Sequence, residues 1–130
     1  MNVTVKTAKF TAAPDVVFDF VSKIENLPLW ATNYAKSVRK DGDTYYVETS
    51  MGEIIQEFVT NEEFGAVNMN AGPSRDQLWS WYIRIFSDLF GGSILNFTAL
   101  QMPGQNDVDF TAQCAVLEEE FENIRTAIAS

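Results

Sequence analysis

The sequence predicts an α+β fold in which a curved antiparallel sheet grips one long C-terminal helix. Two observations predict this fold. Residues 106–129 carry large apolar side chains at helical spacing, with charged residues between them. Residues 35–102 hold six segments of strand length that follow one another through short turns. With one more strand at the start, the expected order is strand, two short helices, six strands and a long helix.

The long helix is predicted over residues 106–129. Asn106 is a candidate N-cap, and Asp107 and Asp109 place negative charge in the first turn, where the helix dipole favours it. A rise of about 1.5 Å per residue gives a rod of about 30–35 Å, which needs a broad surface to cover its apolar stripe. The glutamates at 118–120 are expected to form a solvated face. The stripe itself consists of Phe110, Cys114, Leu117, Phe121, Ile124 and Ile128.

Residues 2–30 predict a strand followed by two short helices. Residues 2–10 alternate as a half-exposed strand does, with Val3 and Val5 on one face and polar side chains on the other. Pro28 interrupts helical regularity, so a second helical piece beginning near Asn26 should meet the first at an angle. The first helix begins at Pro14, and its inner stripe consists of Val17, Phe18, Val21 and Ile24.

The central strands are predicted over residues 35–39, 44–50, 53–60, 64–70, 78–86 and 93–102. Turn-forming residues separate them, such as the Asp-Gly-Asp at 41–43 and the paired glycines at 91–92. No helical segment lies between these strands, so they should pair in sequence order as an antiparallel meander.

Length and charge limit the possible partners. The chain has 130 residues, which predicts a single domain over 1–130. The formal net charge of −9, from 18 acidic and 9 basic residues, argues against nucleic acid and anionic lipid as partners. Neither a signal peptide nor stable membrane insertion is expected, because residues at the start of the chain form no long apolar run, and a cytoplasmic location is therefore expected.

Histidine is absent from the chain. This absence removes the usual base at neutral pH and the commonest metal ligand, so no metal is expected, and zinc, Ser–His and Cys–His chemistries are excluded. Cys114 is the single cysteine, and its place on the helix stripe indicates a small core residue rather than a reactive thiol.

Two segments resemble a known superfamily. The first runs from Ala13-Pro14 through residues 17–21 (VFDFV) to residues 25–30 (ENLPLW), and the second is residues 117–127 (LEEEFENIRTA). In these motifs and in element order, the chain resembles the START and birch-pollen-allergen (SRPBCC) superfamily. The resemblance is to its small bacterial polyketide cyclase/dehydrase-like members. It implies the helix-grip fold, with seven strands curled around the long helix and the two short helices closing one end.

The resemblance also implies a function. Members of the superfamily bind lipids, sterols, polyketides, hormones or other apolar molecules in a cavity between sheet and helix. Some catalyse ring closure or hydrolysis, and others are binding proteins, carriers or activators of chaperone ATPases. A small hydrophobic ligand is therefore the expected partner, and no cofactor is expected.

Strand alternation predicts which side chains face that cavity. Trp79 and Trp81 share the inward parity of their strand, whereas Arg84 and Tyr82 share the outward one. The alternative is that the inward side chains simply fill the core. The predicted ligand-binding residues are Trp30, Tyr34, Tyr45, Thr49, Gln56, Phe58, Met69, Trp79, Trp81, Phe97, Phe110 and Leu117.

Polar residues among the predicted lining define the possible chemistry. Gln56 is the sharpest candidate, because a buried amide must bond a neighbour, a water or a ligand. Tyr45 and Glu48 are the candidate proton-transfer groups, although Glu48 faces the cavity only if its strand shifts by one residue. Arg84 could enter by a similar shift and bind an anion.

Three functions are consistent with these observations. The first is binding, transport or sensing of a small apolar or amphipathic molecule, because the inward face lacks titratable acids and bases. The second is a cyclase or dehydratase that uses Tyr45 or Glu48. The third is an interaction protein with an outward patch of Tyr82, Phe86 and Phe90, through which two copies could also form a homodimer.

Overall fold

The structure is a computed structural model that describes residues 1–129. None of the helices in that range has the length and apolarity needed to cross a membrane. In chain order the elements are β1 (Val3–Phe10), α1 (Pro14–Val21), a 3-10 helix (Ile24–Asn26), α2 (Leu27–Trp30), β2 (Ser37–Asp41), β3 (Thr44–Thr49), β4 (Gly52–Asn61), β5 (Ala66–Gly72), β6 (Trp79–Ser87), β7 (Ser93–Leu100), α3 (Asp107–Ala115) and α4 (Leu117–Ile128).

The seven strands form one antiparallel sheet in the order β1-β7-β6-β5-β4-β3-β2. Strands β2 to β7 pair as the predicted meander, and β1 pairs with β7 from Val3 opposite Leu100 to Phe10 opposite Ser93. The helices cover one face, and α4 contacts both α1 and α2. The predicted helix-grip architecture is therefore confirmed.

The predicted inward parity is confirmed in the central strands. Val47, Val67, Ile83 and Leu95 are fully buried under the helices. Arg84 is exposed on the outer face together with Glu48, so neither strand adopts the shifted register that would turn these two residues inward. The alternation of side chains along the strands therefore separates core from surface as the sequence indicates.

In β1 the valines lie on the solvent side. Val3 and Val5 are exposed, whereas Ala8 and Phe10 of the opposite parity are buried. The register explains this, because Ala8 lies directly opposite Leu95 and must share its face of the sheet. The apolar composition of this strand therefore does not identify its inner face.

The two short helices form as predicted. Pro14 lies in the first turn of α1, and the inner side chains Val17 and Val21 are fully buried. The side chain of Asn26 donates to the backbone oxygen of Phe20 at 2.8 Å, which ties the connection back onto α1. Pro28 lies in the first turn of α2, where it needs no hydrogen-bond partner.

The C-terminal helix is bent rather than continuous. Val116, with ψ −7°, separates α3 from α4, where the sequence predicts one helix over 106–129. The Asn106 side chain caps α3 as predicted, accepting from the Asp109 amide at 2.8 Å. The stripe is buried in both halves except at Ile128, which is half-buried, so the bend lets one helix follow a curved sheet.

Aromatic rings join the sheet to α4 at the centre of the core. The Trp81 and Phe97 ring centroids lie 5.6 Å apart in an edge-to-face arrangement, and the centroids of Phe97 and Phe121 lie 6.2 Å apart. Phe97 and Phe121 are buried. At this point the sheet and the helix are in contact through side chains.

Candidate ligand-binding site

An open pocket of about 270 Å³ lies where the 3-10 helix meets β3 and β4. We call it the Gln56 pocket. Side chains of the 3-10 helix, the two strands and the loop between β5 and β6 surround it. Its lining consists of Ile24, Asp43, Thr44, Tyr45, Ile55, Gln56, Glu57, Phe58 and Arg75.

The Gln56 side chain is the polar centre of this pocket. It is only 3% exposed, and it pairs across the sheet with Tyr45. Its Oε1 accepts a hydrogen bond from the Tyr34 hydroxyl at 2.5 Å, and its Nε2 donates to the Asn70 backbone oxygen at 3.2 Å. Because an amide has two N–H donors and two acceptor lone pairs, these bonds leave one of each for a further partner.

Tyr34 is held in place by the turn that follows α2. Its backbone amide donates to the Ala31 oxygen at 2.9 Å, and the Asn123 side chain of α4 donates to the Trp30 oxygen at 3.1 Å. Burial raises the pKa of the Tyr34 hydroxyl above its ordinary value of 10.0. The phenol therefore stays protonated at neutral pH and remains a donor to Gln56.

The rim of the Gln56 pocket is polar. Asp43 and Glu57 bring carboxylates to it, and Arg75 brings a guanidinium whose Nη2 donates to the Thr44 hydroxyl at 2.5 Å. The loop carrying Arg75 folds tightly onto β5, since a Cβ on Gly72 would lie 1.9 Å from the Gln77 backbone oxygen. This arrangement can hold a small apolar body and orient one polar group by hydrogen bonding.

The structure brings together four of the residues predicted to bind a ligand. Tyr45, Gln56 and Phe58 line the pocket, and Tyr34 bonds directly to Gln56. The sequence offered no signal for Arg75, which lies in an irregular loop. Ile24 also lines the pocket, although the sequence placed it on the inner stripe of the first helix.

The other predicted binding residues do not line the Gln56 pocket. The indole nitrogens of Trp79 and Trp81 both donate to the Leu100 backbone oxygen, at 3.2 and 2.8 Å. The Thr49 hydroxyl donates to the Gly52 oxygen at 2.7 Å in the turn between β3 and β4. The remaining five are buried in the core: Trp30, Met69, Phe97, Phe110 and Leu117.

A second open space, of about 520 Å³, is a groove between α1 and one end of the sheet. We call it the α1 groove. No local sequence pattern predicts it, because it forms only when α1, the turn between β4 and β5 and the end of β6 come together. It is lined by Pro14, Asp15, Phe18, Glu62, Glu63, Phe64, Gly65, Ile85, Phe86 and Ser87.

Glu120 is a buried carboxyl, which corrects the expectation that residues 118–120 form a solvated face. It is only 5% exposed, and its Oε2 has no hydrogen-bond partner. Burial raises the pKa of Glu120 from 4.5 to about 7, although a hydrogen bond from the Asn33 backbone opposes this rise. The sequence spacing indicates this burial. Residue 120 lies three positions after Leu117 and four before Ile124, which places it on the border of the buried stripe.

Residues 1–129 contain no cluster of three Cys, Asp or Glu side chains that could hold a metal ion. The rim of the Gln56 pocket carries two carboxylates, Asp43 and Glu57, which is fewer than the three side chains of such a cluster.

Comparison with known proteins identifies the fold. No protein-family model and no curated protein matches the sequence. Among solved structures, XoxI from Bacillus cereus matches with a TM-score of 0.77 and 12% identity, over 100% of this chain and 97% of that one. A START superfamily protein from Mycobacterium smegmatis matches with a TM-score of 0.71 and 12% identity, over 98% and 97%. The di-domain ARO/CYC protein BexL matches with a TM-score of 0.72 and 11% identity, over 97% of this chain and 46% of that one.

At these identities the likeness establishes the fold. The START-type resemblance predicted from residues 13–30 and 117–127 is therefore confirmed as a resemblance of structure, over the whole described chain.

Proposed function

We propose, from the START-type fold and the chemistry of the Gln56 pocket, that this protein binds a small amphipathic molecule. The apolar part of the ligand would contact Ile24, Tyr45 and Phe58. A hydroxyl, carbonyl or amide group of the ligand would bond the free positions of the Gln56 side chain. The role could be transport or sensing, and binding is the step common to both.

The observation that carries this proposal is the buried Tyr34–Gln56 pair beside an open space. Burying an amide is unfavourable unless its hydrogen bonds are made, and an apolar residue would fill this position at lower cost. Tyr34 and the Asn70 backbone fix the orientation of the amide, so its remaining donor and acceptor point in set directions. Such preorganisation favours recognition of a polar group.

The pocket also limits the size and charge of the ligand. Its volume of about 270 Å³ lies just below the range of about 300–1,000 Å³ typical of drug-sized ligands. A single substituted ring or a short chain therefore fits better than a sterol. Two carboxylates and one guanidinium at the rim favour a neutral ligand over an anion.

The experiment compares a phenol with its hydrocarbon analogue. We expect 4-methylphenol to bind more tightly than 1,4-dimethylbenzene by NMR titration, because only the phenol can bond Gln56. Gln56→Met conserves the side-chain volume, and we expect it to abolish this preference. Tyr34→Phe should reduce the preference, whereas Tyr82→Phe on the outer face is the matched control and should leave it unchanged.

Either of two results would contradict the proposal. One is that neither compound causes shifts at residues of the Gln56 pocket. The other is that the wild type and Gln56→Met discriminate equally between the two compounds. Mass spectrometry would identify the class of the natural ligand. The small molecules that copurify with the wild type would be compared with those that copurify with Gln56→Met.

A cyclase-like reaction is the second candidate function, favoured by the position of Tyr45 in the pocket and by the likeness to the ARO/CYC protein BexL. Tyr45 would transfer a proton to or from the bound molecule. Glu48 is exposed on the outer face and therefore cannot act in this pocket. Tyr45→Phe should abolish conversion of the bound molecule and preserve its binding. Undiminished conversion in this variant would exclude Tyr45 as the proton-transfer group.

A further inference from the structure

We propose that the α1 groove and the hairpin beside it form a docking surface for a basic, amphipathic helical segment of another protein. This surface is separate from the Gln56 pocket and shares no lining residue with it. Four observations support the proposal: apolar side chains in the groove, a rigid hairpin that exposes two more, a clamped turn that fixes the groove, and an acidic rim.

The groove is apolar at its base and along one side. Ile85 is buried beneath it, and Phe18 of α1 packs partly against the core. Phe64 and Phe86 line the same groove and are exposed. Single exposed apolar residues are common, but several around one groove are typical of an interaction site.

The hairpin between β6 and β7 directly follows Phe86 and Ser87, which line the groove, and it carries two further exposed apolar side chains. Leu89 and Phe90 at its tip are 87% and 93% exposed. The turn is well ordered, because the Asp88 carboxylate accepts from the amides of Phe90 at 2.7 Å and Gly92 at 2.9 Å. Leu89 has φ +70°, a conformation that side-chain-bearing residues rarely adopt. The fold therefore holds Leu89 in solvent at the expense of backbone strain.

The groove has a fixed shape because the β4–β5 turn is clamped to β6. The Ile85 amide donates to the Gly65 oxygen at 2.9 Å, and Gly65 has φ +60°. A Cβ at Gly65 would lie 1.9 Å from the Ile85 oxygen, so the turn can approach β6 this closely only with glycine. The surface is therefore formed before a partner arrives.

Charge identifies the kind of partner. Asp15, Glu62 and Glu63 line the groove. The ion pairs of the described chain are Lys23–Asp19, Arg39–Glu53 and Arg125–Glu122, so the three groove carboxylates have no basic partner within residues 1–129. A second copy of this chain, with net charge −9, would bring like charges together, and an anionic membrane would be repelled. A partner with lysines or arginines beside apolar residues complements the surface.

A helical segment is the form of partner that fits best. The apolar contacts come from separate elements, α1, the β4–β5 turn and the end of β6, around one groove. An amphipathic helix presents apolar side chains along one stripe and can place them in such a groove while its basic residues meet the rim.

The test uses a fluorescent peptide of leucine and lysine at helical spacing, with a leucine–glutamate peptide of the same pattern as the control. Fluorescence polarisation measures binding to the full chain. We expect the lysine peptide to bind and the glutamate peptide not to bind. Phe90→Ser should weaken binding about fivefold or more, whereas Met51→Ser, at a residue 94% exposed in the β3–β4 turn, should have no effect.

A pair of double variants separates docking from general attraction to an acidic protein. Glu62→Gln/Glu63→Gln removes two charges at the groove, and Glu118→Gln/Glu119→Gln removes two from the exposed face of α4. We expect the first to weaken binding at least about threefold more than the second. Equal effects of the two, or equal binding of both peptides, would overturn the proposal. Neutral lipid vesicles that displace the lysine peptide, or a dimer that Phe90→Ser dissolves, would overturn it in favour of lipid or self-association.

Discussion

Replacing Glu120 by glutamine should make the protein more stable at alkaline pH. The carboxyl is buried against the turn after α2, and its pKa is raised from 4.5 to about 7, mainly by burial. Between these two values the folded protein holds a proton that the unfolded chain has lost. The free energy of unfolding therefore falls as pH rises from about 4.5 to about 7, and the loss is complete above that range.

The magnitude follows from the shift in pKa. A difference from 4.5 to about 7, at about 1.4 kcal/mol for each pH unit, corresponds to about 3 kcal/mol. This is a substantial part of the total stability of about 5–15 kcal/mol that is usual for a domain. The amide of a glutamine carries no charge at any pH, so the Glu120→Gln variant should lack this pH-dependent loss.

Urea denaturation at about pH 5 and about pH 8.5 tests this prediction. The wild type should lose about 2.5 kcal/mol relative to Glu120→Gln between the two pH values, because a smaller part of the total is already lost at about pH 5. Glu118→Gln is the matched control, because Glu118 is exposed on the same helix. It should follow the pH dependence of the wild type. A difference between the wild type and Glu120→Gln that is the same at both pH values would refute the reasoning.

Three further substitutions test the core, the pocket and the groove. Phe121→Ala should lower the free energy of unfolding by about 3–5 kcal/mol, because this fully buried ring contacts Phe97 of the sheet; a loss below about 1 kcal/mol in urea denaturation would contradict this. Tyr34→Phe should lower it by about 1–3 kcal/mol by leaving the Gln56 oxygen without its donor; an unchanged midpoint would show that water replaces the hydroxyl. Gly65→Ala should lower it by about 3 kcal/mol or more through its contact with the β6 backbone, and Gly91→Ala, also at positive φ but with open space at its Cβ, should lower it less; equal thermal shifts would contradict the clamp.

The sequence predicts the architecture well, because local patterns decide it. The spacing of Leu117, Phe121 and Ile124 identifies the buried stripe of α4, and all three are fully buried or nearly so. Strand order follows from short turns, and the inward parity follows from alternation in strands such as β6 and β7. In β1 alternation does not identify the inward face, since both faces of the strand carry apolar residues. The inward face is set instead by the pairing of Ala8 with Leu95.

The sites are less predictable because they depend on contacts between distant segments. Gln56 was a candidate from strand parity alone, whereas its bond to Tyr34 depends on how the turn after α2 lies over the sheet. The α1 groove has no local signature, since Phe18 and Phe64 lie far apart in the sequence. The run of acidic residues at 118–120 predicts a solvated face, whereas the spacing of Glu120 from Leu117 sets it beside the buried stripe.

The pairing of β1 with β7 has a consequence for synthesis. β1 is made first, but Val3 finds its partner only when Leu100 has been made. Until then the first strand has no neighbour, and closing so long a loop makes this late step slow. While β1 is still unpaired, one edge of β7 has free backbone donors and acceptors, and these can pair with a strand of another molecule. This order of strands therefore exposes newly made chains to association before folding is complete.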